Sequence, residues 1–206
     1  MNFVQLRIAL DTSPEQAGRL AALQAAFAQV CNALAPLVQR SRVWNRVALH
    51  HMAYKPMREQ FPAMGSQMVC NAIYSVSRHS RAIFQHPQSP FNLARLGDKP
   101  LPILRFTDTC PVYFDRHTLS LKDGQLSLYT LDGRMRFKLV LLPQDEANFH
   151  TLKLREIVLQ RIQDGRFSLQ FSFSDQDDGA SAALADDNNL GELPEYVMVE
   201  EIHEST

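Results

Sequence analysis

The alternation of apolar and polar positions changes period along the chain. Residues 3–10, "FVQLRIAL", alternate with a period of two and predict a strand, because successive strand side chains point to opposite faces. Next, Asp11, Thr12 or Ser13 can cap a helix, Pro14 suits its first turn, and Glu15 and Gln16 follow. Leu20, Leu23, Phe27, Val30 and Leu34 then recur at helical spacing, one stripe along a helix that Pro36 is expected to interrupt. A second helix is predicted over about residues 44–60, with Pro56 as a kink or break. A third starts at Ser66, read as its cap, and runs through Phe84. In it Val69, Ile73 and Val76 share one face, while Gln67, Asn71, Arg78 and Arg81 lie elsewhere. The Pro-rich residues 86–102 read as a loop or linker.

Beyond that loop the period returns to two. "ILRF", "PVYFD", "TLSLK", "QLSLYTL", "RMRFKLVLL", "HTLKLREIVLQRI" and "RFSLQFSF" form a train of short strands. Asp123-Gly124, Asp132-Gly133 and Asp164-Gly165 sit between them, and such pairs favour the tight turns of hairpins. The result is an α+β chain whose strands predict an antiparallel meander or small barrel. The tail from residue 174 opens on an acidic segment and ends with an apolar patch, Tyr196, Val197 and Val199, able to dock elsewhere.

Charge changes the picture. The formal net charge is −1, but residues 174–206 hold ten of the 22 acids and no Lys or Arg, which leaves the body at +9. Residues 38–86 carry seven Lys or Arg against the single acid Glu59. A basic body with an acidic tail points to a polyanion partner. No apolar run is read as reaching the ~18–20 residues of a membrane span, and no signal peptide is expected. Cys31, Cys70 and Cys110 form no CxxC pair, so they are expected as buried or idle thiols in a reducing cytoplasm, with no metal and no cofactor.

Among candidate chemistry, Arg40, Arg42 and Arg46 surround Trp44 and read as phosphate contacts or a solvated face, with Trp44 stacking on a base or packed in the core. Arg134, Arg136 and Lys138 fall at i, i+2 and i+4 of one strand and so share a face. A like-charged row without an interleaved acid favours an anionic cover, here an RNA backbone. Arg105 and Phe106 close the first strand after the loop. Adjacent His50 and His51 point about 100° apart on a helix and do not share a metal, so surface or RNA-contact roles are expected. The methionines at 52, 57, 64 and 68 read as core filler.

The order of "TSPEQAGRLAALQAAFAQVCNAL", "LHHMAYKPMREQFPAMGSQMVCNAIYSVSRHSRAIF", "CPVYFDRHTLSLKDGQLSLYTLDGRMRFKLVL" and "LQRIQDGRFSLQFSF" resembles the N-terminal half of the TnpB-like transposon-encoded RNA-guided nucleases and their type V CRISPR relatives, over about residues 1–173. The resemblance implies an oligonucleotide-binding-like (wedge) antiparallel β-barrel from residues 1–10 and 101–173. Residues 11–95 would form an inserted helical recognition lobe, and 174–206 an acidic, partly disordered tail. It implies a grip on a structured guide RNA and reading of a double-stranded DNA motif, with Ser66, Gln67, Cys70 and Asn71 at the reading end of a helix that enters the duplex. Gln and Asn can pair with adenine in the major groove. It also brings Tyr54 and Lys55 towards nucleic acid.

The family's nuclease domain, with its converging carboxylates, has no counterpart in the motifs present here. The tail acids are clustered without strand or helix spacing and read as a solvated run. The expectation is therefore a non-catalytic, cytoplasmic nucleic-acid-binding module, CRISPR-associated or transposon-derived, that needs a separate nuclease or effector subunit for any cleavage. The rival is a regulatory or inhibitory module whose acidic tail mimics nucleic acid, or the non-catalytic subunit of a split nuclease.

Overall fold

The computed structural model describes residues 3–162, 164–175 and 193–202. The chain is α+β, with antiparallel sheets and five helices among the described residues, and it divides into two compact units: Met1–Gln24 with Pro111–Ala182, and Ala25–Cys110 with Ala183–Thr206. Most of the acidic tail, residues 176–192, lies outside the described residues.

In the first unit, β1 (Phe3–Ala9), β3 (Val112–Phe114), β7 (Lys153–Arg161) and β8 (Phe167–Ser174) form an open antiparallel sheet in the order β1-β8-β7-β3. Its register pairs Leu6 with Phe171 and Leu159 with Leu169, so apolar side chains meet across strands. A second sheet is the meander β4 (Leu119–Lys122), β5 (Gln125–Thr130) and β6 (Gly133–Lys138). These two open sheets stand where a barrel was expected. Between β6 and β7 lies a helix the pattern did not predict, α5 (Pro143–Thr151), with Pro143 in its first turn and Asp145 and Glu146 near its positive end. The expected strand through His150 and Thr151 starts only at Lys153. Phe149 of α5 packs edge-on against Phe171 and Phe173, with ring centroids 5.2 and 4.9 Å away.

Helix α1 (Pro14–Ser41) passes through Pro36 unbroken, and the boundary between the units falls within it. By length and composition α1 could cross a membrane, with mean hydropathy 1.4 over its most apolar window, of which half is buried inside the protein. The expectation that no segment reaches this length missed it because Ala and Leu outweigh the scattered polar residues in an average, though not in an unbroken run.

The second unit holds the rest of α1, α2 (Arg46–Gln60), α3 (Ser66–Gln85), the short α4 (Leu93–Leu96), β2 (Ile103–Phe106) and β9 (Val197–Glu200). Asn45 caps α2 by accepting from the Val47 and Ala48 amides, and α2 continues through Pro56. The residue at the cap of α3 is Gly65, and Ser66 is the first helical residue. The apolar patch near the C-terminus does dock: β9 pairs antiparallel with β2, Phe106 opposite Val197. The other edge of β2 is met by Asn32, whose amide donates to the Phe106 carbonyl (2.9 Å) and accepts from its N–H (2.7 Å).

His79 is buried between Phe106 and Tyr196, edge-on to both rings. Its Nδ1 lies 2.7 Å from the Ser75 carbonyl and therefore carries the proton, which leaves Nε2 to accept from the Tyr196 hydroxyl at 3.2 Å. Burial lowers its pKa to about 4, only partly offset by the Ser75 carbonyl. Since the folded value lies below the ordinary 6.5, the unfolded chain binds the proton first as pH falls. This contribution is present above pH 6.5 and is lost progressively towards pH 4, by about 3 kcal/mol. Urea unfolding followed by the fluorescence of Trp44, the single tryptophan, should show that slope, and His79→Gln should flatten it.

Candidate nucleic-acid interfaces

The meander has one apolar and one polar face because β5 and β6 alternate strictly. Leu126, Leu128, Met135 and Phe137 are buried, while Arg134, Arg136 and Lys138 are exposed. Asp123 and Gly124 both adopt positive φ, 50° and 70°, the conformation of a type I′ turn. This two-residue turn sets Lys122 opposite Gln125, and Gln125 in turn pairs with Lys138. Ser120, Ser127 and Arg136 form the next row, and Tyr129 and Arg134 the one after. Lys122, Arg134, Arg136 and Lys138 thus converge on an open basin of about 630 Å³, also lined by Ser120, Ser127 and, as its one carboxylate residue, Asp123.

Arg134 is held by its neighbours: Nε donates to the Ser127 hydroxyl and Nη2 to the Ser127 carbonyl, both at 2.8 Å. Among the described residues none of these four cations makes an ion pair. Asp132, the acid of the next turn, is taken by Arg19 at 2.8 Å, which holds its carboxyl below the usual range. Cations two apart on a strand sit roughly 6.7 Å apart and repel by about 0.6 kcal/mol in water and about 2.5 kcal/mol at an effective dielectric of 20. Water tolerates such a row, and an anion laid along it relieves the repulsion.

A second polar surface belongs to the helical unit. Twelve residues of α3 are buried, which leaves a narrow stripe of Gln67, Cys70, Tyr74, Arg78 and Arg81. Arg46, His50 and Tyr54 of α2, spaced one turn apart, meet it. The Arg46 guanidinium lies 4.9 Å from the Tyr74 ring centre, His50 Nε2 lies 3.6 Å from Cys70 Sγ, and the His50 ring stacks on Tyr54 at 4.9 Å. Lys55 and Ser66 are exposed nearby in sequence, as are Arg40 and Arg42. Arg42 adopts φ 54° and donates to the Lys99 carbonyl. Arg105 is paired with Glu200 at 2.7 Å.

Three residues sit inside rather than on this surface. Asn71 is buried, its amide 3.8 Å from Met68 Sδ, because it lies about 100° around the helix from Cys70 on a helix covered on most sides. Phe106 is buried beside His79, and Trp44 packs against Phe84 with centroids 5.4 Å apart. Lys122 and Tyr74 were missed as site residues, whereas Cys70, expected at the reading end of α3, does lie on this stripe. Of the two missed, Lys122 was legible, since a two-residue Asp-Gly turn dictates its cross-strand partner. Met57, Met64 and Met68 are core residues, whereas Met52 is exposed. Cys31 and Cys110 are buried and hydrogen-bonded to each other, and burial pushes the Cys31 thiol up. Among the described residues no group of three or more His, Cys, Asp or Glu side chains could hold a metal ion.

The turn at Gly124 sets this register, and a Cβ there would approach the Leu139 carbonyl to 3.0 Å at a φ of +70°. Gly124→Ala should therefore cost about 1–2 kcal/mol, read as a lower urea midpoint. Comparison with protein-family models found no match, and comparison with curated proteins found none either.

Proposed function

We propose that this chain is a non-catalytic nucleic-acid-binding module. The β4–β6 face would grip the backbone of a structured RNA, and the α2–α3 stripe would meet a short DNA duplex motif, with Gln67 as the base-reading side chain. We further read the two open sheets of the first unit as parts of an oligonucleotide-binding-like wedge, and the helices as its recognition lobe. This is the arrangement implied by the resemblance to TnpB-like RNA-guided proteins. The module acts by occupancy or by recruiting a separate effector subunit.

The observation that carries this reading is the set of four cations that converge on one basin, outnumber its single acid Asp123 and make no ion pair among the described residues. Phosphates suit such a site because guanidinium forks bind them bidentately and an ammonium group binds as a point charge.

Binding of a fluorescent structured RNA, followed by anisotropy across a salt series, tests it. Four phosphate contacts give a slope of log K against log salt of about −3 to −3.5. The triple variant R134Q/R136Q/K138Q should weaken binding and make the slope shallower by about 2 to 2.5. Binding indifferent to salt, or a triple variant with the parent slope, would sink the proposal.

A further inference from the structure

We propose that Cys70 and His50 form an activated thiol pair, a modification site for hydroperoxides and other small soft electrophiles. Three observations meet here. The first is contact between a nucleophile and a base: Cys70 Sγ and His50 Nε2 are 3.6 Å apart, within hydrogen-bond reach for sulfur. Secondly, the imidazole is held in place, stacked on Tyr54 at an interplanar angle of 19° and edge-on to His51. The third is electrostatic. The segment bearing both residues holds seven cations against one acid, and Arg46 stands one turn from His50 on α2, its guanidinium over the Tyr74 ring one turn from Cys70. Cationic surroundings favour the thiolate, which is the reactive form. Of the three thiols only Cys70 reaches the surface, since Cys31 and Cys110 are buried.

The chemistry is a two-electron oxidation. His50 takes the thiol proton, and the Cys70 thiolate attacks one peroxide oxygen as the O–O bond breaks. Sulfur is oxidised to sulfenic acid while the peroxide is reduced. The leaving hydroxide takes the proton back from His50 and departs as water. An alkyl halide follows the same path, with a C–S bond formed and halide lost. The new group would stand in the middle of the α2–α3 stripe, between Gln67 and Tyr74. The reactivity itself does not depend on what that stripe binds.

Iodoacetamide labelling of the full chain, read residue by residue by mass spectrometry, tests the pair. A thiol half-covered by protein should react more slowly than the same thiol in an unfolded chain unless it is activated. Each tenfold gain in thiolate loses about threefold in intrinsic nucleophilicity, so the expected excess of folded over urea-unfolded Cys70 at pH 7 is at least about threefold. His50→Ala and His50→Gln should remove that excess at pH 7 and, by the same trade-off, react up to about threefold faster than the parent at pH 10, where the thiol is ionised in each. Protection of Cys31 and Cys110 reports that each variant is folded. Hydrogen peroxide with dimedone should trap Cys70 alone in the folded protein. Folded Cys70 reacting no faster than unfolded Cys70, or folded His50 variants reacting at the parent rate at pH 7, overturns the proposal.

Discussion

Burial of Leu126, Leu128, Met135 and Phe137 on one side of a three-stranded meander is the constraint on which the candidate RNA surface depends. A strand has a side-chain period of two, so the apolar set cannot go inward without sending Arg134, Arg136 and Lys138 outward together. A slip of one residue would put three cations into the core at a cost far beyond the stability of a small domain. The register is thus held by hydrophobic burial and by the positive-φ turn at Asp123 and Gly124, and the cations follow from it.

The helical unit solves a different problem. Its strand β2 has two edges of backbone polar groups, and a two-stranded ribbon is marginal by itself. One edge is met by β9 from the C-terminal segment and the other by the side-chain amide of Asn32, which imitates a strand partner at Phe106. The neutral His79, tied to Ser75 and Tyr196, stitches β9 to α3. Core and surface chemistry therefore alternate along α3. One side holds the buried His79 and Asn71, and the other carries the cationic stripe with its thiol.

The three long helices and nearly every strand from Ile103 to Ser174 were legible, because each carries its own period. Helix α5 was not, since its nine residues show little apolar stripe, and Pro143 reads equally as a break or a first turn. The prolines at 36 and 56 were expected to interrupt helices that run through them. A proline costs about 3 kcal/mol in a helix interior, and flanking turns packed into a core outweigh that. In the site, the row at 134, 136 and 138 was legible from parity alone. The burial of Asn71 and Phe106 was not, because a sequence shows which faces of an element differ and not how many of them are covered.

Periodicity, turns, the excess of cations in the body and the row on one strand are local features, and all follow from covalent geometry and side-chain chemistry. Which distant residues meet is settled by the packing of whole elements. That packing set His50 beside Cys70, Asn32 and Val197 on opposite edges of β2, Cys31 against Cys110, and Arg19 on Asp132 rather than leaving that acid to the basic face. The physical reason is that these contacts arise from elements packing to bury their apolar faces, and the residues brought together by that packing have no fixed spacing along the chain.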